Sequence, residues 1–223
     1  MPFQPDAPYD AVLRVLDRQV IGTDDLNVCK VDDIEVTDLP DGSLQVTALL
    51  AGTPALLPRL AGRPTRWMLG FWERMGAEQA DRHRPYRIPL ELVDDIGTDV
   101  RLNVPKLDVL ERADLGPGRH PLRQLLALQV HSHLGDDFGH ALDVRVDERH
   151  RIIGVIAGAG RPGSLLGYDR HPTQGPAVLR WAVGFLHRHT VYIPWEDVED
   201  LSWETSALVT SNPSPTALRE LPA

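Results

Sequence analysis

Three imidazoles and two carboxylates crowd into one stretch, His131-Ser132-His133-Leu134-Gly135-Asp136-Asp137-Phe138-Gly139-His140. Alternate residues of a strand share a face, so His131 and His133 can offer ring nitrogens side by side. A facing strand can return His140 or Asp136 to complete a site for Zn²⁺ or Ni²⁺. The competing reading, and the favoured one, is a solvated hairpin that is rich in histidine, because metal-binding imidazoles need partners that orient them. Gly158-Ala159-Gly160-Arg161-Pro162-Gly163 has the spacing of a dinucleotide-binding loop after a strand. Residues 170–195 carry no Asp or Glu to hold a ribose, and Pro162 interrupts the helix start such a loop needs. It reads as a plain loop. Gly163-Ser164-Leu165 lacks the flanks of a nucleophile elbow, and His187 and His189, two apart at a helix end, do not face together. Cys29, the single cysteine, sits in an apolar-alternating segment and reads as a buried small hydrophobe. The sequence thus nominates no catalytic residue and no cofactor, and its metal candidates are His131, His133 and His140.

The elements that must position these groups come twice. Arg66-Trp67-Met68-Leu69-Gly70-Phe71-Trp72-Glu73-Arg74 returns as Arg180-Trp181-Ala182-Val183-Gly184-Phe185-Leu186-His187-Arg188. At about 100° per residue the shared Arg, Trp, Gly, Phe and Arg fall on one arc of a helix. An internal repeat sets the architecture before any single residue is interpreted. Cys29 to Val36 matches Gly139 to Val146, both ending on Asp, a β-branched residue, a charge and Val. Leu44 to Gly52 matches His150 to Gly158, too densely apolar for a half-exposed strand and so a central one. Tyr86 to Ile96 matches Val191 to Leu201, each a strand ending at Ile-Pro followed by an acidic turn, before last strands at Val100 to Val104 and Ser206 to Thr210. The three histidine positions are Ile21, Thr23 and Lys30 in the first repeat, so a metal site would be private to the second.

The expected organisation is a disordered leader at 1–10, a domain at 11–104, a linker at 105–121, a second domain at 122–210 and a disordered tail at 211–223. The fold class is mainly β with helical inserts: two tandem small β-barrels, each with one helix before the penultimate strand. With 32 acidic and 23 basic residues the formal charge is −9, which gives no electrostatic footing on nucleic acid or anionic lipid. No basic segment followed by an apolar run opens the chain, and no apolar run approaches the roughly 20 residues that cross a bilayer. One cysteine excludes an internal disulfide, and a cytoplasmic location is expected.

Leu16-Asp17-Arg18-Gln19-Val20, Lys30-Val31-Asp32-Asp33-Ile34-Glu35-Val36 and Arg87-Ile88-Pro89-Leu90 with Val93 and Ile96 resemble the PRC-barrel family, as do Gly139 to Val146, Leu166-Gly167 and Tyr192-Ile193-Pro194-Trp195 in the second repeat. The family's barrel occurs in the photosynthetic reaction-centre H subunit and in bacterial ribosome maturation factors. The resemblance runs from about Leu13 to Thr210, and its motifs are mostly structural. It implies a non-enzymatic protein-interaction or adaptor module that docks a protein partner or a second copy of itself. A photosynthetic role is disfavoured because the membrane helix of that subunit has no counterpart here. Ribosome binding is a minor candidate, since both domains are barrel-like and the surface is acidic. The arrangement is closest to tandem PRC-barrel proteins of bacteria with no assigned activity. Met68, Trp72 and Met75, around the first copy of the repeated helix, are the candidate partner-binding residues; covering the interface between the two copies is an equal reading of that apolar width. The alternative function is metal or small-ligand binding by the His131–His140 hairpin.

Overall fold

Segments that alternate apolar and polar residues become strands because successive side chains point to opposite faces of a sheet. The computed structural model describes residues 3–52, 84–109, 111–112, 115–159 and 190–218, and these are mainly β. The repeated helix expected at Arg66–Arg74 and Arg180–Arg188, with Met68, Trp72 and Met75, lies outside the described residues. The first repeat runs β1 (Tyr9–Asp10), α1 (Ala11–Val15), β2 (Gln19–Ile21), β3 (Asn27–Lys30), β4 (Asp33–Asp38), β5 (Leu44–Ala51), β6 (Tyr86–Pro89), β7 (Val93–Ile96), β8 (Val100–Leu102) and β9 (Glu111–Arg112). The second runs β10 (Arg119–Pro121), α2 (Leu122–Leu126), β11 (Gln129–Ser132), β12 (Asp137–Val146), β13 (Ile152–Gly158), β14 (Val191–Pro194), β15 (Val198–Ser202), β16 (Ala207–Thr210) and β17 (Thr216–Ala217). The long β12 stands where the first repeat has β3 and β4.

The chain divides into two compact units, Met1–Asp6 with Arg14–Arg123 and Ala7–Leu13 with Gln124–Ala223. Unit 1 holds two sheets, ordered β10-β4-β5-β6-β9 and β3-β2-β8-β7. Unit 2 holds the same series in one sheet, β15-β16-β11-β12-β13-β14-β17, with β1 beside β12. In both, the first strand of the hairpin pairs parallel with the last core strand, β2 with β8 and β11 with β16. Among the described residues no pairing closes either series into a barrel. The core of unit 1 gathers Val20, Ile34, Val36, Leu49, Ile88 and Val100; that of unit 2 gathers Val130, Val144, Val155, Ile156, Ile193 and Leu208, all fully buried or within 1% of it.

The stretches expected to be leader, linker and tail carry paired strands. β1 lies antiparallel to β12 with Tyr9 opposite Val146, and β10 lies antiparallel to β4 with Arg119 opposite Thr37. β9 pairs with β6, and β17 pairs with β14. Phe3 and Tyr9 are buried, and Leu218 packs with Leu142 and Ile156. Strands of two or three residues are too short to register as alternation, and prolines beside them cost nothing at a sheet edge. The lead-in strand of each repeat therefore belongs to the unit built on the other repeat. The acidic turns expected at Asp94-Asp95 and Glu199-Asp200 are also strands: in β7 the two carboxylates face out between buried Val93 and Ile96, and the turn comes earlier, at Leu90–Leu92 and Trp195–Asp197.

Two buried aspartates fasten the lead-in segments. Asp143, fully buried, accepts from the backbone N–H of Val12 at 2.7 Å, Leu13 at 3.0 Å and its own neighbour Val144 at 2.6 Å. Its counterpart Asp33 accepts from the N–H of Ile34 at 2.8 Å and of Arg123 at 3.3 Å, and from the Arg123 guanidinium at 2.6 Å. Each carboxylate thereby satisfies amides at the start of α1 or α2 that no helical carbonyl can reach. Burial pushes the Asp33 carboxyl upward, and the charge and hydrogen bonds of Arg123 oppose it.

One equivalent position in the two units is filled by opposite means. In unit 1 the fully buried Glu35 takes a forked bond from Arg87, with Nε and Nη2 at 2.8–3.1 Å, and a further bond from the Thr47 hydroxyl at 2.7 Å. In unit 2 these places belong to Arg145 and Tyr192, and the Tyr192 ring lies over Gly154, where any Cβ would collide with it, while its hydroxyl donates to the Ile153 carbonyl at 3.1 Å. Burial alone would raise the Glu35 carboxyl, but the hydrogen bonds of Arg87 and Thr47 and the Arg87 charge outweigh it and hold it below the usual glutamate range.

Asp143→Ala should leave the Val12 and Leu13 amides without their acceptor and lower unfolding free energy by about 1–3 kcal/mol, seen as an earlier urea transition of unit 2. For Glu35 the folded value lies below 4.5, so its contribution is complete above 4.5 and is lost as pH falls through the depressed folded value. The stability difference between the wild type and Glu35→Gln should accordingly be full at neutral pH and shrink in acid, measured by urea unfolding across a pH series.

Candidate interaction cleft

Strand β3 and the leading half of β12 occupy the same place in their repeats but meet different surroundings. In β12, Gly139 holds φ +86°, and a Cβ there would run into the Gly158 carbonyl at the end of β13. That close approach lets β13 continue its pairing as far as His140 opposite Gly158. Cys29 stands at the counterpart of Gly139. A side chain at this point forbids the same approach and disfavours a positive φ. In unit 1 the β4–β5 ladder begins only at Asp33 opposite Leu50, and the Gly52 amide turns to the Asp32 carboxylate at 2.7 Å instead. The result is that β3 pairs with β2 and, among the described residues, with no other strand.

A cleft of about 570 Å³ opens along β3, lined by Asp17, Gln19, Asn27, Val28, Cys29, Lys30 and Lys106. All four residues of β3 touch it. Gln19, opposite Lys30 on the partner strand β2, and Lys106, past β8, also line it, so the cleft lies over the β2–β3 hairpin. Asp17, held at φ +67° in the turn after α1, pairs with the Lys30 ammonium at 3.2 Å. Lys106 is placed by its own backbone N–H, 3.4 Å from both Asp24 carboxylate oxygens. Beside lining residues Asn27 and Lys106 stand Leu26 and Leu107, 54% and 92% exposed. Burial, with the Asp32 charge adding to it, pushes the Cys29 thiol up to about 12. At neutral pH Cys29 is a thiol and contributes shape, with no nucleophile in the cleft.

The histidine hairpin is built differently from a metal centre. Its tip is tied by Ser132, whose buried hydroxyl donates to the Asp136 carboxylate at 2.8 Å and accepts from the amides of Leu134 and Asp136. A register shift between Val130 and His131 sets His131 opposite Asp137, with its Nδ1 3.9 Å from that carboxylate, while His140 lies opposite Gln129. His133 is past the end of β11 and exposed, its amide bonded to the Thr210 carbonyl. Among the described residues no three histidine, cysteine or acidic side chains gather as a metal-holding group, and His131, His133 and His140 are not brought together. Of the glycine-rich loop, Gly158 is described and serves as the backbone that meets Gly139; Gly160 and Gly163 lie outside the described residues. No motif in the sequence marks the cleft, whose lining residues come from β2, β3 and the segment past β8.

With its pKa near 12, Cys29 should react with iodoacetamide at pH 8 on the order of a hundredfold or more slower than an unperturbed cysteine thiol; alkylation followed by mass spectrometry checks this. No protein-family model matches the chain, and no curated protein matches it.

Proposed function

We propose that this protein is a non-enzymatic interaction module made of two PRC-barrel-like domains, working in the cytoplasm as an adaptor. The observation that carries the reading is strand β3 in unit 1, which among the described residues pairs with β2 alone, together with the cleft over the β3–β2 hairpin and the exposed Leu26 and Leu107. An edge strand offers unsatisfied backbone donors and acceptors to another chain, and natural folds usually protect such edges. In the sister repeat Gly139 lies close to the Gly158 carbonyl and pairing with β13 begins at His140, one residue further on. In the cleft Cys29 is held as a thiol and Asp17 is paired with the Lys30 ammonium, which favours binding over catalysis.

The test is association of the full chain. Sedimentation velocity across a concentration series, combined with affinity capture from a bacterial lysate and identification of what is retained, should show a self-associated form or a reproducible stoichiometric partner. A chain that stays monomeric and retains nothing would sink the adaptor reading.

A further inference from the structure

The chain has 23 basic residues, and only Lys30 and Lys106 among them are lysines. Far apart in sequence, both line the cleft over the β2–β3 hairpin of unit 1. We infer that this cleft binds a small phosphate-bearing molecule, held by the Lys30 and Lys106 ammonium groups and by the side-chain amides of Gln19 and Asn27. The inference stands apart from the interaction reading, and either can fail without the other. A volume of about 570 Å³ falls within the roughly 300–1,000 Å³ usual for small-molecule sites. It exceeds what a bare phosphate fills, which leaves room for an organic remainder beside Val28.

Lys106 is clamped to the hairpin through its backbone. Gly22 packs so closely there that a Cβ would stand 2.9 Å from the Lys106 nitrogen and 3.2 Å from the Val104 carbonyl oxygen. The Thr23 amide donates to that carbonyl at 3.1 Å, and the Lys106 N–H faces both Asp24 carboxylate oxygens at 3.4 Å. The Lys106 side chain is half-buried and has no ion pair among the described residues. Asp17, the one acid of the lining, lies on Lys30 at 3.2 Å, with both side chains more than half exposed. The lining is therefore net cationic on a chain whose formal charge is −9. An exposed pair holds weakly, so a doubly charged phosphate competes with Asp17 for Lys30. The choice of lysine selects the anion. Elsewhere in unit 1 carboxylates meet guanidinium groups, Arg87 on Glu35 and Arg123 on Asp33. A planar guanidinium matches a planar carboxylate, whereas an ammonium is a compact charge whose three donors turn to the oxygens of a tetrahedral phosphate. The second repeat has Asp137 and His140 in place of Asn27 and Lys30, so a carboxylate there repels what the amide would hold.

Reductive methylation with ¹³C-formaldehyde labels ε-amines and keeps their charge, so the intact chain gives one dimethyl-lysine signal each for Lys30 and Lys106. The probes are inorganic phosphate and glycerol 3-phosphate at constant ionic strength, with glycerate as the carboxylate counterpart and sodium chloride as the blank. Calorimetry on the unmethylated chain supplies the affinity. Saturable binding of a phosphate probe is expected, with both lysine signals moving on one dissociation constant. Tighter binding of glycerol 3-phosphate identifies a phosphate ester as the ligand class, and tighter binding of inorganic phosphate identifies the free anion. Lys106→Gln and Asn27→Asp should each weaken binding about fivefold or more. Arg149→Gln, which removes an equal charge at an exposed position of unit 2, should leave it unchanged. Four results overturn the inference: no saturable shift with either phosphate probe, a shift of one lysine alone or one reproduced by chloride, glycerate bound as tightly as glycerol 3-phosphate, and affinity that Lys106→Gln and Asn27→Asp leave intact or that Arg149→Gln lowers equally. Circular dichroism and urea unfolding of the variants confirm that lost binding is not lost folding, and the wild-type titration decides the matter without them.

Discussion

A carboxylate buried at the root of each unit holds the start of a helix too short to stand by itself. Isolated helices below about 12 residues are marginal in water, and α1 and α2 have five residues each. Their first amides have no helical acceptor, and Asp143 and Asp33 supply one. Each aspartate also bonds the amide next to it in its own strand, so a strand and a helix start share a single acceptor. The bond from Val12 to Asp143 spans 131 residues and the one from Arg123 to Asp33 spans 90. Such contacts close long loops, whose entropy must be met before they reward the fold. The lead-in strands β1 and β10 sit beside these anchors, because each ends immediately before the helix that its aspartate holds.

With the two repeats on one plan, their differences become informative. Glu35 and Arg87 fill in unit 1 what Tyr192 over Gly154 fills in unit 2. A buried ion pair gives little net stability against a well-packed apolar substitute but is costly to break once formed. The two solutions are therefore each self-consistent and not interchangeable residue by residue. The same holds for Cys29 and Gly139. At Gly139 an added Cβ would meet the Gly158 carbonyl, and at the matching Cys29 a side chain is present; β12 runs unbroken in unit 2 where unit 1 has β3 and β4 in separate sheets. The interaction reading rests on the one-sided pairing of β3 among the described residues.

How much of this was legible depends on the length of the signal. The central strands β5 and β13, dense in aliphatic residues, and the Ile-Pro ends of β6 and β14 could be read because six to eight residues of pattern outlast chance. β1, β9, β10 and β17 could not, since two or three residues beside prolines carry no period. The acidic pair Asp94-Asp95 looked like a turn because both residues are charged together; a register shift in β7 faces both carboxylates outward between Val93 and Ile96. His131, His133 and His140 looked convergent under ideal alternation, and the shift at Val130 removes that alternation.

The amino-acid sequence by itself determined the duplication, the mainly β class and the central strands, because each rests on local periodicity or on comparison of one repeat with the other; Cys29, expected to be buried, is only half-buried and lines the cleft. Only the tertiary structure decided which unit each lead-in strand joins, what Asp33 and Asp143 hold, and that β12 runs on without a break where β3 and β4 are separate strands. Those outcomes depend on groups far apart in the chain meeting within hydrogen-bond or van der Waals distance, and no window of sequence contains both partners.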